Sequence, residues 1–378
     1  MTPGRSVLAC NSPYDQGGLG QHFAQLVEDA RDAGHLHRYL APAIRPGDEY
    51  GSVVPNRTFG LLKYTPIRFS PSWRTYAVCE LFDRRTARRL PSADDFIGFT
   101  GMSHHCFHAA RRSGYDRLKL VATNSHVDNV RRLHARSARD SDLRDTWLHG
   151  LQARKIKREY EMADTIYVHS EYVRQSFLDA GVPASKLQRT VLRVAPRFCP
   201  PAQRPEDGRF RLVYVGRLEA TKGIAVLMEA FDQLDLGALE LTLVGGWSTR
   251  SVRKYLQPLL SEDDRIVLRP GDPLPALQAA DLFVHASYED GFGYAPMEAL
   301  ASGVPVLATE DTGMKEYIQE GKNGYVVPTG SIPAIVEGIE AVYRRPLAAT
   351  SSLLPKTYYD TTPASSGPLA FSRTAGPR

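Results

Sequence analysis

Apolar runs of four or five residues recur along the chain, separated by stretches of helical period. Val7-Leu8-Ala9-Cys10 reads as a strand. A glycine-rich loop, Asp15-Gln16-Gly17-Gly18-Leu19-Gly20, follows it, and Phe23, Leu26, Val27 and Ala30 then line one face of a helix. Residues 96–99, 118–122 and 165–168 repeat the strand pattern, with charge-rich helical segments such as 147–163 between them. Strands that alternate with helices predict an α/β fold, because a parallel pair of strands needs a crossover long enough to hold a helix. Between Pro196 and Pro205 the periodicity lapses over four prolines, which predicts an interdomain linker. The alternation then resumes, with strand-like 211–215, 239–244, 265–268, 282–285 and 304–308 and helical 224–234. From Pro346 to Arg378 neither period is present and Ser, Thr, Pro, Gly and Ala dominate, which predicts a disordered tail. The pattern divides the chain into a first α/β domain over residues 1–199, a second over 200–345 and the tail over 346–378.

Composition narrows the class. Of 378 residues, 42% are hydrophobic and 24% charged, which supports packed cores and excludes global disorder. The net charge of +5 is unevenly spread: the first 200 residues hold 30 Lys and Arg against 20 Asp and Glu, the remainder 17 against 22. A basic first half suits phosphates, an anionic membrane or a nucleic acid, or is a solvated surface. No aromatic-basic platform accompanies it, which argues against nucleic acid. Cys10, Cys79, Cys106 and Cys199 are widely spaced and form no C-x-x-C pair, which excludes a disulfide framework or a zinc ribbon. No apolar run approaches the roughly 18–20 residues that span a bilayer, and no signal-peptide core precedes Val7. The expectation is a reduced, soluble, cytoplasmic protein.

Two loops carry candidate chemistry. Gly216-Arg217-Leu218-Glu219-Ala220-Thr221-Lys222-Gly223 lies between a strand and a helix, where α/β sheets bind ligands. Arg217 offers a fork to phosphate oxygens and Lys222 a point charge, with a helix N-terminus following. The plainer reading is two surface cations beside a helix start. The second loop runs from His285 through Asp290-Gly291-Phe292-Gly293-Tyr294-Ala295-Pro296-Met297-Glu298. Its glycines admit a close ligand, and Pro296 suits a first helical turn, from which Glu298 projects. Two carboxylates at the mouth of one crevice suit sugar hydroxyls. Read structurally, Asp290 is a helix cap and Glu298 a first-turn acid.

Together these residues resemble the retaining glycosyltransferases of family 4 (glycosyl transferases group 1), which have the GT-B fold. That family's signature is two acids separated by seven residues, with Gly-Phe-Gly after the first and Pro before the second. Asp290 and Glu298 stand at that spacing, followed by Ala301-Ser302-Gly303-Val304-Pro305-Val306. The Gly-Arg…Lys-Gly loop and Gly17-Gly18-Leu19-Gly20 match two further hallmarks, and the resemblance covers roughly residues 5–345. It implies two Rossmann-like α/β/α domains facing a central cleft, the acceptor on the first and a nucleoside-diphosphate sugar on the second. It implies that Arg217 and Lys222 hold the diphosphate and act in catalysis, that Asp290 contacts the transferred sugar, and that Glu298 binds the ribose. The amides of Phe292, Gly293 and Tyr294 would face the sugar or its phosphate, Gly18 would let the N-terminal loop close over the phosphates, and His126 would lie near the reaction centre. It implies hexosyl transfer with retention, no cofactor and no divalent metal. The acceptor would be a glycan, a lipid-linked hydroxyl or a small molecule, and the basic first domain would make peripheral contact with the inner membrane face.

The sequence departs from the family in two places. The first acid is usually Glu; here it is Asp290, with Glu289 just before it. The usual long C-terminal helix, which returns to the first domain, has no counterpart after Val342-Tyr343-Arg344. Its lack leaves two other readings open: a non-catalytic nucleotide-sugar-binding protein on the same scaffold, or a sugar epimerase or phosphorylase. The cluster of His104, His105, Cys106 and His108 has no distant second ligand pair and argues weakly for zinc. The Gly17–Gly20 spacing is not G-x-G-x-x-G, which argues against a dehydrogenase.

Overall fold

The computed structural model describes residues 4–55, 64–143, 145–349 and 351–354. The apolar runs pair into two separate sheets, all of whose pairings are parallel. The first holds seven strands in the order β3-β2-β1-β4-β5-β6-β7. These are β1 (Ser6–Ala9), β2 (Leu36–Ala41), β3 (Gly51–Val53), β4 (Asp95–Phe99), β5 (Arg117–Val121), β6 (Thr165–Val168) and β7 (Leu187–Arg189). The second holds six in the order β10-β9-β8-β11-β12-β13. These are β8 (Phe210–Val215), β9 (Leu239–Val244), β10 (Ile266–Leu268), β11 (Leu282–His285), β12 (Val306–Thr309) and β13 (Gly324–Val327). Every residue of β1, β4, β11 and β12 is buried, because helices cover both faces of a parallel sheet. That is why these strands read as unbroken apolar runs.

Among the described residues the helices of the first domain are α1 (Gly17–Asp32), α2 (Pro71–Ala87), α3 (His104–Arg112), α4 (Val127–Asp140), α5 (Gly150–Met162) and α6 (Glu171–Asp179). The second has α7 (Ile224–Asp232), α8 (Arg250–Glu262), α9 (Leu274–Ala279), α10 (Tyr294–Ala301) and α11 (Ile332–Arg344). In each sheet the strand order reverses between two central neighbours, β1 and β4 or β8 and β11. Such a reversal leaves a crevice beyond the carboxyl ends of the strands. The two crevices face each other. Ser170 Oγ donates to Gly291 O at 2.7 Å, Tyr288 OH to Asp140 Oδ2 at 2.9 Å, and Arg136 Nη2 to Thr329 O at 2.6 Å.

Three expectations are corrected. The glycine-rich stretch at 17–20 is not a loop but the first turn of α1, which begins at Gly17. A Cβ on Gly20 would lie 2.3 Å from Pro13 O, so this glycine lets the helix start pack onto the 11–16 loop. The interdomain crossing lies upstream of the 199/200 join: Leu192, Val194 and Phe198 are already buried in the second domain's core with Val213 and Phe283.

The third correction concerns the tail. Leu353 and Leu354 pack into that same core, Leu353 N donates to Leu300 O at 2.8 Å, and Ala349 N donates to Gly303 O at 3.0 Å. Apolar Leu347, Leu353 and Leu354, spaced through a Ser- and Pro-rich stretch, make it adhere without a period. Residues 355–378 lie outside the described residues. Burial of Leu353 and Leu354 contributes about 2–4 kcal/mol. The chain truncated after Arg345 is therefore expected to melt about 5 °C below the chain truncated after Leu354. Equal melting temperatures for the two would refute the packing.

Candidate active site

The loops after β8 and β11 flank the crevice of the second domain, and they bring Lys222 and Asp290 together. Lys222 Nζ donates to Asp290 Oδ2 at 2.8 Å and to Glu289 O at 3.3 Å. His285 Nε2 stands 3.5 Å from the same Asp290 oxygen. Burial alone would raise the Asp290 pKa, but the Lys222 ammonium, with His285 beside it, holds it well below the usual carboxylate range. Burial opposes charge on Lys222, and the Asp290 carboxylate more than offsets it, leaving the ammonium pKa above its ordinary value. Both groups are therefore charged at neutral pH. The shorter aspartate reaches the lysine without help.

Gly223 makes this loop possible. It adopts φ 72°, and a Cβ there would lie 1.9 Å from Ala286 O on the neighbouring loop. Arg217, on the same loop, does not join Lys222. Its guanidinium is 56% exposed and pairs with the buried Glu219 at 2.9 Å. Glu219 is held in turn by Thr221 Oγ1 at 2.6 Å. Only the arginine end of the pair is exposed, so Arg217 can turn to an incoming anion only where that anion offsets the loss to the buried Glu219 carboxylate.

Phe292, Gly293 and Tyr294 form the turn into α10. Gly293 opens that helix at φ 92° with no side-chain cap, and Gln16 precedes α1 likewise uncapped. A Cβ on Gly18, in the first turn of α1, would lie 3.5 Å from Tyr294 Cδ2. A Cβ on Gly293 would lie 3.5 Å from Asp290 Oδ2, so the uncapped start of α10 sits beside the Asp290–Lys222 pair, and the Tyr294 ring links it to the uncapped start of α1. That arrangement concentrates positive partial charge and suits an anion.

Glu298 lies in the second turn of α10, not the first as expected, and is buried at 6% exposure. Burial pushes its pKa up to about 7; Arg197 opposes that and Asp272 reinforces it. Arg197 and Asp272 pair with each other at 2.7 Å, which marks where the linker meets the loop after β10. A half-charged carboxyl in such a pocket accepts hydrogen bonds from hydroxyls readily.

His126 is placed elsewhere. It caps α4, its Nδ1 accepting from Asp128 N at 3.3 Å, and its ring packs on Tyr160 and Phe177. It lines a cavity of about 860 Å³ with Tyr172, Gln175, Asp311 and Lys315. None of its hydrogen bonds, ion pairs or ring contacts reaches Arg217, Lys222 or Asp290. Glu289, by contrast, turns toward the first domain and bonds to Asn124 and Ser125. Nothing in the sequence distinguishes that direction, since two adjacent acids look alike until the backbone alternates them.

Among the described residues, only Glu80, Asp83 and His105 bring three ligand-type atoms together. Lys155 Nζ fills that cluster, 2.9 Å from Glu80 and 2.7 Å from Asp83. The His104-to-His108 cluster therefore contributes one residue to a charge network rather than a metal site. No helix among the described residues is long and apolar enough to cross a membrane.

Comparison with known proteins places this geometry in context. Residues 200–352 match the family described as glycosyl transferases group 1. Over 364 residues the chain is 24% identical to a GDP-mannose-dependent alpha-mannosyltransferase of Mycobacterium tuberculosis, covering 90% of this chain and 89% of that protein. Similarity to the capsular polysaccharide biosynthesis glycosyltransferase CapM of Staphylococcus aureus is 31% but covers only 35% of this chain and 37% of CapM. In fold, the chain resembles sucrose-phosphate synthase from Thermosynechococcus elongatus, with a TM-score of 0.70, 18% identity, and coverage of 93% and 92%. It also resembles Anabaena HepE in complex with UDP-glucose, with a TM-score of 0.65, 16% identity, and 93% coverage of both chains.

Proposed function

We propose that this chain is a glycosyltransferase that transfers a hexosyl group from a nucleoside-diphosphate sugar to a hydroxyl acceptor with retention; the match of residues 200–352 to the glycosyl transferases group 1 family and the GT-B fold support this reading. One observation carries the donor reading. The uncapped start of α10 lies beside the Lys222–Asp290 pair at a strand-order reversal, with the uncapped start of α1 against Tyr294. A diphosphate fits such a place by charge and by donor geometry.

In this reading the diphosphate lies between the helix starts. Lys222 and Arg217 stabilise the charge that grows on it as the sugar departs. Asp290 accepts from sugar hydroxyls, and Glu298 from the ribose. The acceptor enters from the first domain, and the leaving phosphate oxygen takes its proton on the face the sugar leaves, which preserves the anomeric configuration. Cationic side chains and helix ends supply the positive charge, so we expect no divalent ion to be required. The exposed Phe69, Trp73 and Arg74, with Arg84, Arg88 and Arg89 at the end of α2, support peripheral contact with an anionic membrane.

A panel of UDP-, GDP-, ADP- and CDP-sugars tests the reading. One donor is expected to raise the melting temperature, and nucleoside diphosphate is expected to appear only when an acceptor is present. Stabilisation by none of them would refute the donor site. A donor-side product without acceptor would indicate an epimerase, and a requirement for free phosphate a phosphorylase.

A further inference from the structure

We propose that Glu289 is a positioning residue whose carboxylate ties closure of the two domains to the placement of Asp290. The proposal rests on the glycosyltransferase reading above and concerns a residue to which that reading gives no role.

Glu289 is 2% exposed, though it lies on the cleft side of the second domain. Its Oε1 accepts from Ser125 N at 2.8 Å, and its Oε2 from Asn124 Nδ2 at 2.8 Å. Both donors belong to the first domain, on the turn after β5. That turn is itself held firmly. Asn129 Nδ2 donates to Ser125 Oγ and to Tyr172 OH, each at 3.0 Å, and His126 N donates to Ser176 Oγ at 2.8 Å. The backbone at 290 is extended, bridging to Thr312, so neighbouring side chains point opposite ways. Glu289 therefore faces the first domain while Asp290 faces Lys222. Tyr288 and Gly291, on either side of this pair, also contact the first domain.

The energetics favour a closure-dependent contact. A carboxylate taken out of water is costly unless its oxygens are satisfied. Burial pushes the Glu289 pKa up, with Lys222 and the Ser125 amide opposing. The two charge-assisted bonds that satisfy it come from the other domain, so they form only when the domains meet. Parting the domains would leave Ser125 N–H without this partner and return Glu289 to water. With its neighbour anchored across the cleft, Asp290 is fixed against Lys222 and the transferred sugar in the closed form.

Glu289→Ala, Asn124→Ala, their double variant and Glu289→Gln test this. Glu289→Ala is expected to lower kcat by about tenfold and Asn124→Ala by less, while nucleotide-sugar affinity stays within about twofold, because the side chains proposed to hold the donor all lie on the second domain and the first adds only the amides of α1. The double variant should be no worse than Glu289→Ala, since both remove one contact. Glu289→Gln should recover part of the loss, its carbonyl still accepting from Ser125 and the Asn124 amide turning to meet it. Small-angle scattering of the donor-bound protein should show a larger radius of gyration for Glu289→Ala than for wild type. Additive losses, an equal loss of donor affinity or an unchanged radius would overturn the proposal. Should Glu289→Ala fail to fold, Asn124→Ala removes one of the same two bonds from the other domain. Wild-type protein that turns over no nucleotide sugar would defeat the glycosyltransferase reading instead, while the radius still tests the latch.

Discussion

Lys222→Ala is expected to lower kcat by about 10²–10³-fold, the scale on which removal of one preorganised charge stabiliser is felt. Lys222 Nζ lies 2.8 Å from Asp290 Oδ2 and carries its charge firmly, its pKa raised by that carboxylate against the effect of burial. In the proposed reaction, negative charge grows on the departing diphosphate, so an ammonium already fixed at the helix starts stabilises the transition state more than the ground state. Truncation also removes the partner of Asp290 and leaves that carboxylate with only His285 beside it. A loss of stability could therefore be mistaken for a catalytic loss. The double variant Lys222→Ala, Asp290→Asn separates them: it removes the stranded charge and should recover melting temperature without recovering turnover. Lys222→Arg should recover little, because a planar fork does not reproduce a compact point charge. Turnover in Lys222→Ala above a tenth of wild type would overturn the diphosphate assignment.

How much of this was legible in the sequence depended on what each segment buries. The runs at 165–168, 239–244 and 282–285 coincide with β6, β9 and β11, because strands covered on both faces are mostly apolar, with the half-buried Glu240 of β9 an exception. β2 (Leu36–Ala41) hides behind His37 and Arg38, and β3 and β7 are three-residue edge strands too short to show a period. α2 buries Asp83 and Thr86 beside Phe82, so a polar-blind pattern misses part of its inner face. In the site, the acids at 290 and 298 and the cations at 217 and 222 were visible as motifs because each motif lies on one continuous loop. The pairings were not. Which carboxylate meets Lys222 follows from strand-order neighbours far apart in sequence, and that Arg217 rests on Glu219, two residues on, follows from the turn of its own loop. The role of Glu289 needed a partner 164 residues upstream, on the other domain.

Gly291→Ala is expected to abolish transfer while sparing both folds. A Cβ at this position would lie 2.2 Å from Thr123 O, 2.9 Å from Thr123 C and 3.0 Å from Asn124 Cα, all backbone atoms of the first domain. Backbone cannot rotate aside as a side chain can, so the methyl group must hold the domains apart. Gly291 is not among the residues with positive φ, so alanine is not strained within its own loop. The same addition at Gly223 differs in kind: there φ is 72° and the clash, 1.9 Å from Ala286 O, lies inside the second domain. Gly223→Ala should therefore lower the melting temperature steeply, while Gly291→Ala should barely change it. Displacing reacting groups by about 1 Å costs on the order of 10²-fold in rate, and Gly291→Ala should lose at least that in kcat. Nucleotide-sugar affinity should fall far less than kcat, because the contacts proposed for Arg217, Lys222, Asp290 and Glu298 all lie within the second domain and only the α1 amides would be withdrawn. The hydrogen bond from Ser170 Oγ to Gly291 O, 2.7 Å in the closed form, would be lost with the closure. Near-normal kcat in Gly291→Ala would show that the chemistry does not need the two crevices brought together.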